Sequence, residues 1–364
     1  ATHPIEERVG DLLGRMTFEE KVGQLRGGWP GVTAYEKADG GVEIADAWKP
    51  LLTDAPIGLL GSTLRAEPWL GVTRETGLSR REGALFLNKV QQHVRDHTRL
   101  GIPLFVTDDA HRGQQAIGAT IFPQLCAVGP TWNPGLQESV ARAIALEMRS
   151  QGVTIAFAPN LDVIRDPRWG RSDQNFGEDP WLVAAMGKAA VRGFQGESLN
   201  TDHSVVALLR AYPGLGDADG GHDFTGFSRG MRDLHEVVLR PWGEAIRAGA
   251  EGVMIEQSEM DGVPVPCSHY YLDELLRQQW GFQGIALDDN GGIERLVHWR
   301  VAADKVHAAA LALRAGNDLA VSDANPNRVD RSGKPRAVYA PDIIREALDQ
   351  GLVTMLDVDR SVAR

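Results

Sequence analysis

The helical pattern Leu136-Gln-Glu-Ser-Val-Ala-Arg-Ala-Ile-Ala-Leu-Glu-Met-Arg-Ser-Gln151, followed closely by the apolar run Thr154-Ile-Ala-Phe-Ala158, is the most informative part of this sequence. A second amphipathic stretch, Trp181–Phe194, leads in the same way to the run Val205–Leu209. Strands that alternate with helices are joined by crossovers, and continuously apolar strands are covered on both faces. This pattern therefore predicts a parallel sheet surrounded by helices.

The same alternation extends along the rest of the chain. Further short apolar runs lie at Ile57–Leu60, Ile102–Val106, Gly252–Ile255, Ile285–Leu287 and Leu319–Val321. Further helical stretches lie at Lys21–Leu25, Met231–Ile246, Leu272–Trp280 and Ala302–Arg314. Seven strand–helix units in 364 residues favour a closed barrel over an open doubly wound sheet, and no Gly-x-Gly-x-x-Gly follows the first strand. We therefore predict an α/β chain, with residues 1–364 forming a single (β/α)8 TIM-type barrel domain.

Local signals predict where some helices begin and where a loop lies. Thr17 with Glu20 forms a capping box, and Asn133-Pro134 and Asp179-Pro180 each place a capping side chain before a proline. The polar stretch Ala324–Val338 is predicted to be a long loop.

Composition excludes several classes of partner. The hydrophobic fraction is 43%, and 49 acidic against 38 basic residues give a formal charge of −11. This balance argues against a nucleic-acid surface or an anionic lipid surface, and no apolar run is long enough to span a membrane. Cys126 and Cys267 are predicted to be buried, without a disulfide or a zinc site. No Asp-x-Asp-x-Asp run or histidine pair supports a metal, so we expect neither a metal nor a cofactor.

Polar residues follow the predicted strands, where a barrel of this type carries its reactive groups. They are Asp108 and Asp109 after Val106; Asp162, Arg165, Asp166, Arg168, Trp169 and Arg171 after Ala158; Arg210 after Leu209; Glu256 after Ile255; and Asp288 and Asp289 after Leu287. A single acid after a strand is usually a turn or helix cap. Together, these carboxylates and arginines indicate a polar site at one end of the barrel.

Several of these residues lie in motifs that resemble those of glycoside hydrolase family 3. The longest is Ala158-Pro-Asn-Leu-Asp-Val-Ile-Arg-Asp-Pro-Arg-Trp-Gly-Arg-Ser172, which continues to Phe176-Gly-Glu-Asp-Pro180. The other matches, in the family's order, are Leu100-Gly-Ile-Pro103, Ala119-Thr-Ile-Phe-Pro123, Val253-Met254 with Asp261-Gly-Val-Pro264, and Trp280-Gly-Phe-Gln-Gly284. The resemblance runs from about Arg8 to the last residues and implies a (β/α)8-type catalytic barrel.

The resemblance also implies roles for individual residues. Asp289 matches the nucleophile of a retaining mechanism, in which a carboxylate captures the anomeric carbon and water releases the sugar. Asp109 and Arg171 match residues that contact the sugar. Asp166 and Arg168 are expected to brace their loop, and Trp169 is expected to pack in the core.

This sequence departs from the family pattern at three places. Arg210-Ala211 replaces a Lys-His pair, Gln257 stands where many members have tyrosine, and Asp288-Asp289-Asn290 replaces Ser-Asp-Trp. Arg210, Gln257 and Asp288 are therefore our additional substrate-binding candidates. Because neighbouring residues of a strand face opposite ways, we expect Asp288 to point away from Asp289.

The general acid/base is not fixed by the sequence. In two-domain family members it comes from a second domain, so a second domain or subunit is one expected source. In the single-domain β-N-acetylhexosaminidase branch it is an Asp-His dyad, and the loop Pro213–Asp223 offers Asp219 and His222 with a shifted spacing. His222 and Glu256 are the catalytic candidates within this chain.

The resemblance implies a retaining exo-glycosidase that acts on terminal β-linked glucose-like residues of small glycosides or oligosaccharides. Two alternatives stay open: a β-N-acetylhexosaminidase-like enzyme, and a non-catalytic carbohydrate-binding barrel, which Ala211, Gln257 and Asn290 favour. The sequence leaves the compartment open between secreted and cytoplasmic.

Overall fold

The chain folds around a closed barrel of parallel strands. The computed structural model describes residues 3–38, 41–54, 56–67, 70–321, 323–324 and 337–364. Its eight-stranded sheet has the order β1 to β8 along the chain. The barrel closes where Arg26 bridges to Ala320 and the Ala320 amide donates to the Leu25 carbonyl at 3.0 Å. The strands are β1 Gly27–Gly28, β2 Leu59–Gly61, β3 Phe105–Asp109, β4 Ile155–Asn160, β5 Val206–Tyr212, β6 Gly252–Ile255, β7 Ile285–Asp288 and β8 Leu319–Ala320.

The predicted TIM-type barrel is confirmed, and each of the seven predicted apolar runs overlaps a strand. Strand β1 was missed because it consists of two glycines. A Cβ on Gly27 would come within 2.4 Å of the Val321 carbonyl oxygen, so only glycine allows the close approach at the closing seam. Strands β3 and β5 continue beyond their apolar runs, since parallel pairing extends into the polar residues that follow.

The barrel interior is packed with side chains, which sets the floor of the space above it. Its buried side chains are Leu59, Ile155, Phe157, Leu208, Met254, Leu287, Leu319 and Val321. Trp29 stacks on Phe157 with ring centroids 5.6 Å apart and an interplanar angle of 8°. Because Trp29, Phe157 and Met254 also line the cavity described below, its floor is apolar.

Helices surround the barrel. The α-helices are Ile5–Arg15, Phe18–Gln24, Lys49–Thr53, Arg80–His97, Leu125–Val128, Pro134–Ser150, Pro180–Gln195, Met231–Asp233, Arg240–Arg247, Gly292–His298, Lys305–Ala315, Pro341–Asp349 and Met355–Ala363. Short 3₁₀ turns lie at Gly31–Ala34, Gly129–Thr131, Ser172–Gln174, Leu215–Asp217, Asp219–Gly221 and Val265–Cys267, and π-helical segments at Leu234–Val238 and Tyr270–Gln279. Two antiparallel pairs lie outside the barrel, Tyr35–Ala38 with Gly41–Ile44 and Glu259–Met260 with Val263–Pro264. In the described residues, no helix is both long and apolar enough to cross a membrane.

The predicted helix starts are confirmed. Thr17 forms its capping box with Glu20, Asn133 accepts from the Leu136 amide, and Asp179 accepts from two amides of the following turn. The helix predicted at Met231–Ile246 is interrupted by a π-helical segment, in which the Leu239 amide donates to the Leu234 carbonyl at 2.9 Å.

Two further sequence predictions concern a loop near the end of the chain and the two cysteines. The predicted loop Ala324–Val338 lies mostly outside the described residues. The prediction of two buried cysteines was wrong, because Cys126 is exposed and Cys267 is half-buried. In the short helix Leu125–Val128, the side chains of Leu125 and Val128 face the core, which leaves Cys126 on the outer side.

Candidate active site

A polar cavity of about 610 Å³ opens at the carboxyl end of the barrel strands. This volume is in the range of small-molecule binding sites. Five of the eight catalytic and substrate-binding candidates predicted from the sequence line the cavity: Asp109, Arg171, Arg210, Gln257 and Asp289. The other three, His222, Glu256 and Asp288, do not belong to its lining.

Asp289 lies directly after β7 and is half-buried in the cavity wall. Its amide donates to the Ile255 carbonyl at 3.3 Å, which ties it to the end of β6. Its Oδ1 accepts from the Asn290 amide at 2.6 Å. The second carboxylate oxygen receives no hydrogen bond from the described residues, so the group is oriented while part of it faces the cavity.

Asp288 points to the opposite side, as the alternation of strand residues predicts. It is buried, and its Oδ2 accepts from the Ile293 amide at 3.2 Å. Burial, with a contribution from the nearby Asp289 carboxylate, raises the pKa of Asp288 well above its usual range. Its position beneath the helix Gly292–His298 does not support the contact with substrate that was expected of it.

Asp109 lies at the end of β3 in a network of charged side chains. Arg210 from β5 contacts one carboxylate oxygen, and Arg65 Nη1 forms an ion pair with the other at 2.9 Å. Arg65 also pairs with Glu67. Burial alone raises the pKa of Asp109, but the adjacent Arg210 and Arg65 outweigh it and lower that pKa. Asp109 is therefore a buried carboxylate that stays ionised.

Arg171 is held by the loop that follows β5. Its Nε donates to Asp223 at 2.5 Å, and Trp169 Nε1 donates to the other oxygen of the same carboxylate at 2.6 Å. Trp169 is buried, which confirms its predicted packing role. Asp166 and Arg168, which were expected to brace their loop, form an ion pair with each other, with Nε–Oδ1 at 2.9 Å.

His222 precedes Asp223 in this loop, but its ring is exposed and lies outside the cavity lining. Asp223, not His222, connects the loop to the cavity through its bond to Arg171. The loop conformation depends on Gly221, which has φ +69° and lies against the Trp169 backbone. The structure therefore gives no support from geometry to the predicted acid/base role of His222.

Glu256 is fully buried behind the cavity wall. Ser258 Oγ donates to its Oε1 at 3.4 Å. Burial, followed by the charges of Asp289 and Asp162, raises the pKa of Glu256 to about 8. Glu256 is therefore protonated at neutral pH, but its position below the surface does not favour the predicted direct contact with substrate.

Gln257 forms part of a unit on the wall formed by the ends of β6 and β7. Its Oε1 accepts from Arg295 Nε at 2.5 Å, and the Arg295 guanidinium lies 4.6 Å from the centroid of the Phe224 ring. Phe224 and Arg295 both line the cavity. The residues predicted from the sequence did not include Phe224, Arg295, Arg65 and Glu67. The rule of looking just after each strand would have found Arg65 and Glu67 beyond β2, but Arg295 lies inside a helix and gives no such signal.

The comparison with known proteins identifies the family. The family model described as "Glycosyl hydrolase family 3 N terminal domain" matches residues 17–364. The chain belongs to glycosyl hydrolase family 3. Its fold and the order of its motifs agree with this membership.

The relatives in this family are longer proteins. A periplasmic β-glucosidase of Salmonella typhimurium is 30% identical over 351 residues, which cover 96% of this chain and 40% of that protein. A putative β-xylosidase of Formosa agariphila is 28% identical over 368 residues, which cover 100% of this chain and 45% of that protein. The solved structure of a Listeria innocua β-glucosidase in complex with glucose has a TM-score of 0.82 at 26% identity, and it covers 99% of this chain and 46% of that chain. The chain thus spans less than half the length of these relatives.

Proposed function

We propose that this barrel is the catalytic domain of a retaining exo-glycosidase that removes terminal β-linked glucose-like residues. The observation that carries the proposal is the position of Asp289 at the end of β7, open to the cavity. Across the barrel, four strands away, β3 presents Asp109 with its arginine partners. The two carboxylates therefore stand on opposite walls, with an apolar floor between them.

This arrangement supports a double displacement. The Asp109 carboxylate and the guanidinium groups of Arg210 and Arg171 hydrogen-bond the sugar hydroxyls and fix the ring in the cavity. Asp289 attacks the anomeric carbon, a glycosyl ester forms as the glycosidic bond breaks, and water then attacks the same carbon. The sugar leaves with retained configuration, and the Asp289 carboxylate is regenerated.

The proton for the leaving group comes, in this proposal, from a second domain or another subunit. Among the described residues, the cavity carboxyls Glu67 and Asp109 are paired with arginines, and Asp173 accepts from Gln124 Nε2 at 2.8 Å. Burial lowers the pKa of His111, another cavity residue, to about 4, so this imidazole is uncharged at neutral pH. The greater length of the relatives supports a source outside this barrel.

A substrate that needs no protonation tests the nucleophile independently of the acid/base. With 2,4-dinitrophenyl β-D-glucoside, the wild-type barrel should release β-glucose first, as followed by NMR. Asp289→Ala should lower kcat by at least about 10³-fold, and azide should restore turnover and give the α-glucosyl azide. Asp173→Asn removes another cavity carboxylate and is the control, with kcat expected to stay within about tenfold.

Undiminished turnover by Asp289→Ala would contradict the proposal. Glucose binding without turnover or azide product would favour the non-catalytic barrel instead. Parallel assays with the N-acetylglucosaminide and the xyloside separate the hexosaminidase and xylosidase specificities. Two relatives are named periplasmic, which supports an exported protein.

A further inference from the structure

The cavity carries more positive charge than the rest of the chain would suggest. The whole chain has a formal charge of −11. The cavity nevertheless has five arginines, at positions 65, 112, 171, 210 and 295, and four carboxylates, at positions 67, 109, 173 and 289. Because Asp223, just outside the lining, offsets Arg171 and buried His111 is uncharged at neutral pH, the charges at the cavity nearly balance, in contrast to the acidic chain as a whole. Three of these arginines, Arg65, Arg171 and Arg210, are paired with carboxylates.

Arg295 differs from those three because the groups that hold it are neutral. Its Nε donates to the Gln257 amide oxygen at 2.5 Å, and its guanidinium lies over the Phe224 ring. Within the part of the chain described here, no carboxylate forms an ion pair with it. The amide and the ring fix its orientation, while its positive charge and its terminal nitrogens can bind another partner.

The position of Arg295 relative to Asp289 indicates which part of a substrate it faces. Arg295 lies in the helix Gly292–His298 that begins just after Asp289, and its partner Gln257 follows β6. Asp109, at the end of β3, is on the opposite wall. When the anomeric carbon lies over Asp289 and the ring extends toward Asp109, the leaving group points to the side of Arg295.

We propose that Arg295 binds an oxyanion on the leaving group, so that the preferred substrates are glucosides with an anionic aglycone. This inference rests on the proposed function, because that function sets the direction of the sugar ring. A planar guanidinium forms paired, charge-assisted hydrogen bonds with a carboxylate, and it binds a sulfonate by the same donors. Such a contact corresponds to about a tenfold or greater gain in affinity over a neutral group of the same shape.

Binding to the Asp289→Asn variant measures this preference without turnover. The probes are 4-carboxyphenyl, 4-sulfophenyl and 4-carbamoylphenyl β-D-glucoside, and the Kd of each is measured by calorimetry. We expect at least one anionic glucoside to bind about tenfold more tightly than the neutral carbamoyl compound. The carboxylate and sulfonate probes show which oxyanion is preferred.

Arg295→Gln and Arg112→Gln form a matched pair of variants in the same background. Both remove one positive charge from the cavity, but Arg112 follows β3 on the wall opposite β7. Arg295→Gln should abolish the anionic preference, whereas Arg112→Gln should leave most of it. Equal binding of all three probes, or an equal loss in both variants, would overturn the inference. If wild-type Asp289 reacts with the neutral glucoside while Asp289→Asn shows no preference for the anionic probes, only this inference fails. If no glucoside binds to either protein, the proposed function fails with it.

Discussion

Replacing Arg210 by alanine should destabilise the protein strongly, because it leaves the buried Asp109 carboxylate with one guanidinium partner instead of two. Only 2% of the Asp109 side chain is exposed in the intact protein, so solvent screens this pair little. Removing one partner of a buried pair costs about 3–5 kcal/mol. Because Arg65 stays in place at 2.9 Å, we expect a loss of about 2–3 kcal/mol in the free energy of unfolding.

Urea unfolding followed by tryptophan fluorescence at pH 7 measures this loss. The matched control is Arg168→Ala, which breaks the pair with Asp166 on the surface and should change stability little. The arginines lower the folded-state pKa of Asp109, so the stability that they contribute is present above pH 4 and is lost as pH falls through that lowered pKa. The difference between wild type and Arg210→Ala should therefore shrink below pH 4. An equal effect of the two substitutions at pH 7 would refute the reasoning.

Two further substitutions test the groups around the site. Glu256 has a folded-state pKa of about 8, so it should contribute a loss of stability as pH rises from about 4.3 to about 8. Glu256→Gln should make the slope of stability against pH less steep, while the buried Asp108, Asp162 and Asp288, whose pKa values are also raised, still contribute to it. An unchanged stability–pH profile would contradict the protonated state of Glu256. Gly221 has φ +69°, and a Cβ there would lie 2.8 Å from the Trp169 amide nitrogen. Gly221→Ala should therefore lower the free energy of unfolding by about 1–3 kcal/mol and weaken glucoside binding. The control is Gly170→Ala, where a Cβ meets nothing within 4 Å and the loss of stability should be small. Equal melting temperatures of the two variants would show that the loop is not constrained at Gly221.

The sequence predicted the barrel well because its strands are apolar where they are buried. Runs such as Thr154–Ala158 and Gly252–Ile255 stand out from the amphipathic helices between them, and both overlap strands. Strand β1 was not predicted, because Gly27 and Gly28 have no side chains and therefore show no hydrophobic pattern. Pairing of backbones at the closing seam, which is a property of the whole barrel, makes this pair a strand.

The site was predicted in part, for a related reason. Asp109 and Asp289 directly follow strands, so the fold alone places them at the cavity. His222 lies in a loop whose path depends on the contacts of Asp223 with Arg171 and Trp169, which are more than 50 residues away in the chain. Spacing within a motif does not encode such contacts. The orientation of Arg295 depends in the same way on Gln257, 38 residues away.

The most direct test of the account is the identity of the residue that becomes covalently bound to the sugar. Incubation of the wild-type chain with 2,4-dinitrophenyl 2-deoxy-2-fluoro-β-D-glucoside should give one equivalent of dinitrophenolate and a stable glycosyl adduct. Peptide mass spectrometry should place that adduct on Asp289. An adduct on another carboxylate, or dinitrophenolate release with no adduct, would contradict the claim that the carboxylate after β7 is the nucleophile.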